Sequence, residues 1–183
     1  MTLTRQAFWF LRHGETDWNA RNLSQGAVDI PLNPNGIAQA HMAAPRLRDR
    51  GISTIVASPL SRALDTARIA AGQLGLAVKV DAGLREVSFG SQEGQPMVQW
   101  FSDWVAGQYT PPDAESFAAL RTRAVAAVNR ALEHPGVVLI VAHGALFRAL
   151  RAEMGLEANV RTRNAWPIFC EPGDPNWTLT DAV

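Results

Sequence analysis

The chain has 183 residues, 47% apolar and 19% charged, the balance of a globular protein with a real core. Seventeen basic residues offset seventeen acidic ones, so no global field draws the chain onto nucleic acid or an anionic membrane, and any anion must be met by a local cluster. The lone cysteine, Cys170, excludes an internal disulfide and a cysteine-based metal site, and no apolar run approaches the ~20 residues that span a bilayer. The first apolar run, residues 7–11, is too short for a signal peptide, so a cytoplasmic protein is expected.

Residues 7–11 are apolar without alternation and read as a buried strand. Residues 20–33, rich in Asn, Ser, Gly and Pro, read as a loop. A helix is expected from Pro34 to Arg50, with Asn33 as its cap and Gly51 as its stop. Residues 54–57 form a second buried strand that runs into Ser58-Pro59, a cap followed by proline in a first helical turn. That helix carries Leu60, Ala63, Leu64, Ala67, Ala70, Ala71 and Leu74 on one stripe. Residues 77–80 are a third strand. Residues 85–112 read as irregular, and the stretch of about 88–115 as lid-like, with Trp100, Phe101 and Trp104 clustered inside it. A long helix is expected from Ser116 to Glu133, stopped by Pro135-Gly136. Residues 137–142 form the most hydrophobic strand, and His143-Gly144 opens another helix. Two short strands near residues 168–170 and 177–179 finish the chain.

Strands alternating with helices predict one α/β domain over residues 1–183, a three-layer sandwich with a mostly parallel central sheet covered on both faces. Three strands end in polar residues at a strand-to-helix turn: Arg12-His13-Gly14, Ser58-Pro59 with Arg62 just beyond, and His143-Gly144. In open α/β sheets the carboxyl ends of the strands form the binding crevice, and helix N-termini there point N–H groups at an anion. Arg supplies a permanently charged, planar fork for phosphoryl oxygens. Taken singly, each of these residues has an ordinary reading as a surface charge or a satisfied core histidine. Their coincidence at one end of different strands points to a phosphate site.

L-R-H-G-E-T-D-W-N at 11–19 resembles the signature of the histidine phosphatase superfamily, which includes the phosphoglycerate mutases. The likeness runs along nearly the whole chain: Q-G-A-V-D-I-P-L-N-P-N-G at 25–36, S-P-L-S-R-A-L-D-T-A at 58–67, L-R-E-V-S-F-G-S-Q-E-G at 84–94 and V-A-H-G at 141–144 are similar to its later motifs. The resemblance implies a phosphoglycerate mutase-like fold and a site built of His13, Arg12, Arg62, Glu86 and His143. His13 would be the nucleophile that forms a phosphohistidine, splitting hydrolysis into two steps. Gly14 would keep a Cβ out of the approach to phosphorus. Arg12, Arg62 and His143 would neutralise the equatorial oxygens, because phosphoryl transfer is mostly positioning and charge stabilisation. Glu86 would protonate the leaving alkoxide and then take a proton from water, a task that suits a carboxyl raised above ~4.3. Asn19 and Gly144 would add neutral contacts to the phosphate. No metal or organic cofactor is implied.

Other polar residues take structural readings: Ser58 as a helix cap, His41 as solvent-facing, His134 at a helix end, Cys170 in the core, and Glu15 and Asp17 as structural acids. Glu93 is a weaker rival to Glu86. Trp100, Phe101 and Trp104 read equally as an apolar wall beside the leaving group or as a cluster under a loop. In many family members an Arg stands where this chain has Leu23 and an aromatic where it has Ala27, which implies a less basic, more open pocket mouth; Arg21 is displaced from the first of these by two positions. Nothing fixes where Arg161 and Arg163 lie. The 57 positions between Glu86 and His143 are fewer than the family's cofactor-dependent mutases carry, which favours a phosphatase acting on a small phosphorylated metabolite. A mutase-type phosphotransferase and a non-catalytic phosphate-binding module stand as the alternatives. No nucleic-acid or membrane partner is expected, and monomer and homodimer are left open.

Overall fold

The computed structural model describes residues 2–183. In chain order its elements are β1 (Phe8–Arg12), α1 (Asp17–Ala20), α2 (Pro34–Arg46), β2 (Ile52–Ala57), α3 (Ser61–Leu74), β3 (Val78–Val80), α4 (Gln99–Val105), α5 (Phe117–Leu132), β4 (Val137–Ala142), α6 (Gly144–Glu153), β5 (Pro167–Glu171) and β6 (Thr178–Asp181). The six strands form one sheet in the order β3-β2-β4-β1-β5-β6. β1, β2, β3 and β4 run parallel; β5 and β6 are antiparallel at one edge.

The strands are apolar on both faces because both faces are covered. Trp9, Leu11, Ile55, Ala57, Leu139 and Val141 pack against α2 and α3 through Ala43, Leu47, Ala67 and Ala70. Their chain neighbours Phe8, Phe10, Val56, Val138 and Ile140 point the other way, onto α5 and α6. Small alanines on α2 and α3 let those helices lie close to the sheet, whereas the opposite face uses larger groups, including Phe147 stacked on Phe10 at 4.0 Å between ring centres.

The structure departs from the sequence reading at three places. Helix α2 stops at Arg46, not Arg50, because Asp49 and Gly51 turn into the left-handed region. Helix α3 begins at Ser61, not after Ser58; its first turn is capped from a distance by the Asp29 carboxylate, which accepts from Ser61 N and Oγ at 2.8 Å each. The segment expected to be irregular contains α4. There Trp104 is fully buried, donating from Nε1 to the Glu115 carbonyl and meeting Phe89 and Phe117 edge-on. Among the described residues no helix is long and apolar enough to cross a membrane.

Candidate active site

Strand order builds the site. β4 lies between β1 and β2, so the carboxyl ends of three parallel strands stand side by side. The ladder continues one residue past each flanking strand: His13 N donates to the Ala142 carbonyl and Ser58 N to the Val141 carbonyl, both at 3.0 Å. Asn164 Nδ2 and Ala165 N then clasp the carbonyls of His13 and Arg12 at 2.9 Å each. The His13 and His143 rings, far apart in sequence, come to 5.3 Å between centres.

His13 Nδ1 lies 2.6 Å from the Gly14 carbonyl. A carbonyl can only accept, so Nδ1 carries the proton and Nε2 holds the free lone pair. Burial, then the charges of Arg62 and Arg12, push this ring well below the usual imidazole range; the Gly14 bond opposes them and is outweighed. His143 is fully buried and is pushed down by the same burial, then by Arg62, His13 and Arg12. Its Nε2 is 2.7 Å from Ser58 Oγ, which also accepts from Leu60 N at 3.3 Å. Among the described residues the Ser58 hydroxyl has no other acceptor, so it donates to Nε2. The His143 proton therefore sits on Nδ1, a buried donor without a protein partner. Ser58, expected as a helix cap, instead sets the tautomer of His143.

Arg12 and Arg62 are buried cations held by carbonyls. Arg12 Nη1 donates to Thr162 O at 2.6 Å; Arg62 Nη1 and Nη2 donate to Val28 O and Gly26 O at 2.8 Å. In both, Nε is buried with no partner in the protein. Burial, followed by the charge of Arg148, pushes Arg12 down to about 10. Asn19 commits Oδ1 to Thr16 and Asn164, which frees its amide nitrogen for the cavity. Glu86, 7% exposed, accepts from Ala145 N at 2.9 Å and Leu146 N at 3.0 Å, so its carboxyl is pinned on the first turn of α6. Arg12, His13, Asn19, Arg62, Glu86 and Gly144 all line one inner cavity of about 50 Å³.

Two glycines act differently from one another. A Cβ on Gly144 would come to 3.3 Å from Arg12 Nε, so its bareness admits the guanidinium. A Cβ on Gly14 would meet the Gly36 carbonyl at 2.3 Å. The expected role of Gly14 in the approach to phosphorus is thus replaced by close packing of the site loop on α2.

Sequence reasoning missed Gln25, Ser58 and Arg148 among the residues at the site. Gln25 borders the inner cavity and accepts from Thr16 Oγ1 at 2.7 Å. Ser58 touches His143. Arg148, one turn into α6 from Gly144, lines both the inner cavity and an adjoining outer one of about 320 Å³, to which Arg161 also contributes. Leu23 and Phe101 line both cavities; Arg21 and Ala27 line neither. Arg148 and Arg161 supply the positive charge of the outer cavity beside Arg12. Of the aromatic trio, Phe101 borders the site, Trp104 is core, and Trp100 leans on Phe89 and Phe101.

Ser58 apart, the residues read as structural have their contacts elsewhere. Glu15 accepts from the Asn33 and Asn35 side chains, Asp17 sits in the first turn of α1, His41 is exposed on α2, His134 follows α5 and Cys170 is buried. Glu93 ties two loops, accepting from Ala27 N and Phe89 N. Arg163 pairs with Asp181 and stacks on Trp166. No group of three or more His, Cys, Asp or Glu is arranged to hold a metal ion among the described residues.

The chain belongs to the histidine phosphatase superfamily (branch 1), whose family model matches residues 8–168. It is 39% identical over 167 residues to a probable phosphoglycerate mutase GpmB of Yersinia pestis, covering 85% of this chain and 78% of that protein. Among solved structures it resembles a mycobacterial glucosyl-3-phosphoglycerate phosphatase in complex with VO3, with a TM-score of 0.83, 31% identity and coverage of 96% and 98%. It also resembles a phosphoserine phosphatase of Entamoeba histolytica in complex with 3-phosphoglyceric acid, at 0.81, 25%, 97% and 96%. The structural neighbours bearing these names are phosphatases, and the fold is phosphoglycerate mutase-like.

Proposed function

We propose that the protein is a phosphomonoesterase that hydrolyses a small phosphorylated metabolite through a phosphohistidine on His13. The observation that carries this reading is His13 Nδ1 at 2.6 Å from the Gly14 carbonyl, which leaves Nε2 as the lone-pair nitrogen, together with the buried, unpartnered Arg12 Nε, Arg62 Nε and His143 Nδ1. Buried donors without partners are costly, and Arg12 Nε, Arg62 Nε and His143 Nδ1 are three such donors that a phosphoryl group would satisfy together.

In the proposed reaction His13 Nε2 attacks phosphorus as the ester P–O bond breaks, and Glu86 gives its proton to the departing oxygen. Glu86 then takes a proton from water, the water oxygen attacks phosphorus, and the P–N bond breaks to release phosphate and the neutral ring. Arg12, Arg62, His143 and Asn19 hold the three non-bridging oxygens throughout. Every step uses groups of this chain and water.

The mutase-named relative supports a second reading, in which a hydroxyl of the substrate replaces water as the acceptor. The shorter stretch between Glu86 and His143 favours hydrolysis. Two assays decide. Enzyme given labelled aryl phosphate and quenched in alkaline detergent should carry an alkali-stable, acid-labile label on His13, and His13→Ala should lose at least about a thousandfold in turnover. Unlabelled protein with full activity in that variant overturns the nucleophile. With 3-phosphoglycerate and 2,3-bisphosphoglycerate, isomer exchange without free phosphate would replace phosphatase by mutase.

A further inference from the structure

The backbone of His13 itself is held by strand-end bonds: its N–H donates to the Ala142 carbonyl at 3.0 Å, and its carbonyl accepts from Asn164 Nδ2 at 2.9 Å. The next residue is held differently. Gly14 N is buried, and among the described residues its acceptor is a side chain, Thr66 Oγ1, at 3.0 Å. Thr66 is fully buried on α3, four residues beyond Arg62. Its hydroxyl has one proton, which it donates to the Arg62 carbonyl at 2.7 Å. Toward Gly14 the oxygen can therefore only accept, which is what an N–H requires. A hydroxyl bonded back to the carbonyl four residues earlier is usually a matter internal to the helix. Here that bond aims a lone pair out of α3, and a single oxygen ties the loop after His13 to the residue that carries a buried guanidinium.

The Gly14 peptide matters because the Gly14 carbonyl accepts from His13 Nδ1 at 2.6 Å and so keeps the lone pair on Nε2. Glycine restricts its own dihedrals less than any other residue, so its orientation depends on what its polar groups meet. Without the Thr66 hydroxyl the Gly14 amide is a buried donor lacking an acceptor, a costly state that turning the residue relieves. Such a turn carries the carbonyl away from Nδ1.

On the phosphatase reading above, we propose that Thr66 is a positioning residue for the nucleophile: its hydroxyl locks Gly14, and through Gly14 the His13 ring, in register with Arg62. Thr66 does not hydrogen-bond the His13 ring, and it moves no proton in the reaction. Ser58, Arg62 and Thr66 stand four residues apart, and the first of them holds His143 Nε2 at 2.7 Å. Residues 58–66 thus act as one frame that sets both imidazoles against a shared guanidinium.

The test separates the hydroxyl from the volume of the side chain. Thr66→Val keeps the shape and removes the hydroxyl; Thr66→Ser keeps the hydroxyl and removes a methyl. With aryl phosphate, Thr66→Val should lower kcat by about ten- to a hundredfold and leave KM within about threefold of the parent, because a misplaced nucleophile costs rate more than binding. Thr66→Ser should stay within about fivefold of the parent in kcat. Nitrogen-15 NMR of the ligand-free protein should show His13 as the Nδ1–H tautomer in the parent and in Thr66→Ser, and as a mixture in Thr66→Val. A residue that only filled the core would give the reverse order, with Thr66→Val near the parent and Thr66→Ser the poorer enzyme. Thr66→Ala removes the same hydroxyl without placing a methyl against the Gly14 amide, and it supplies both readouts if Thr66→Val does not fold. Unchanged His13 resonances on loss of the hydroxyl, or equal losses of kcat in Thr66→Val and Thr66→Ser, overturn the positioning role. If the unmodified protein turns over no aryl phosphate, the phosphatase reading fails, and the His13 resonances alone decide whether Thr66 sets the ring.

Discussion

Ser58 and His143, from the ends of neighbouring strands, share a 2.7 Å hydrogen bond that turns the only protonated nitrogen of the His143 ring away from Ser58. On the proposed reaction Ser58 is a positioning residue that acts on the phosphate only through the imidazole. Ser58→Ala should lower kcat by about ten- to a hundredfold with a smaller change in KM, because misdirected catalytic groups cost rate. Nitrogen-15 NMR of His143 should show the Nδ1–H tautomer in the unmodified protein and a mixture in the variant. Unchanged ring resonances in Ser58→Ala would refute the relay.

Glu86→Gln tests the proton donor. The Ala145 and Leu146 amides donate to different oxygens of Glu86, so Gln keeps an acceptor for one of them, and it cannot exchange protons with an alkoxide. Turnover of alkyl phosphates should fall by about 10²–10⁴, while aryl phosphates, whose oxygen leaves with little help, should fall much less in the phosphorylation step. Stopped-flow bursts with both ester types measure it, and equal losses would assign the acid elsewhere.

Gly14→Ala and Gly144→Ala should fail in different ways. The first forces a methyl to 2.3 Å from the Gly36 carbonyl, which no rotamer relieves, so stability should drop by about 1–3 kcal/mol or more. The second meets only the Arg12 and Arg148 side chains at 3.3 Å and beyond, so it should disturb activity more than stability. Urea unfolding and aryl phosphate turnover, measured on both, separate the two.

Buried neutral histidines make stability depend on acidity. His13 and His143 titrate well below the unfolded value near 6.5. Below pH 6.5 the unfolded chain takes up protons that the native chain refuses. Their contribution is therefore complete above pH 6.5 and declines as the pH drops, by up to about 1.4 kcal/mol per pH unit for each ring. His143→Asn should show a shallower decline between pH 6.5 and 5 than the parent in urea titrations. Parallel declines would mean the ring charges readily in the native state.

Much of the site was legible because its parts fall at the ends of apolar runs, where chain pattern and chemistry coincide: Arg12-His13, Arg62 and His143 each follow a strand of four or more buried residues. What escaped depends on contacts across the chain. Ser58-Pro59 has the composition of a helix start, and only the insertion of β4 between β1 and β2 brings Ser58 to His143. The need for Gly14 comes from Gly36, on another element. Arg148 had a usable signal, since Gly144 and Arg148 are one turn apart on a helix that opens at the site. Arg161 sits in an irregular stretch with no periodicity to aim it.

His13 and His143 hang from hydrogen-bonded strand ends, whereas Met97, Val98, Gln99, Phe101 and Ser102 of the outer cavity come from a stretch joined to the site loop by the isolated Leu23–Pro96 bridge. On the proposed reaction, the two histidines and one wall of the outer cavity thus belong to different pieces of chain. Exchanging residues 97–103 offers a way to retarget this protein toward new esters while its engine stays as built.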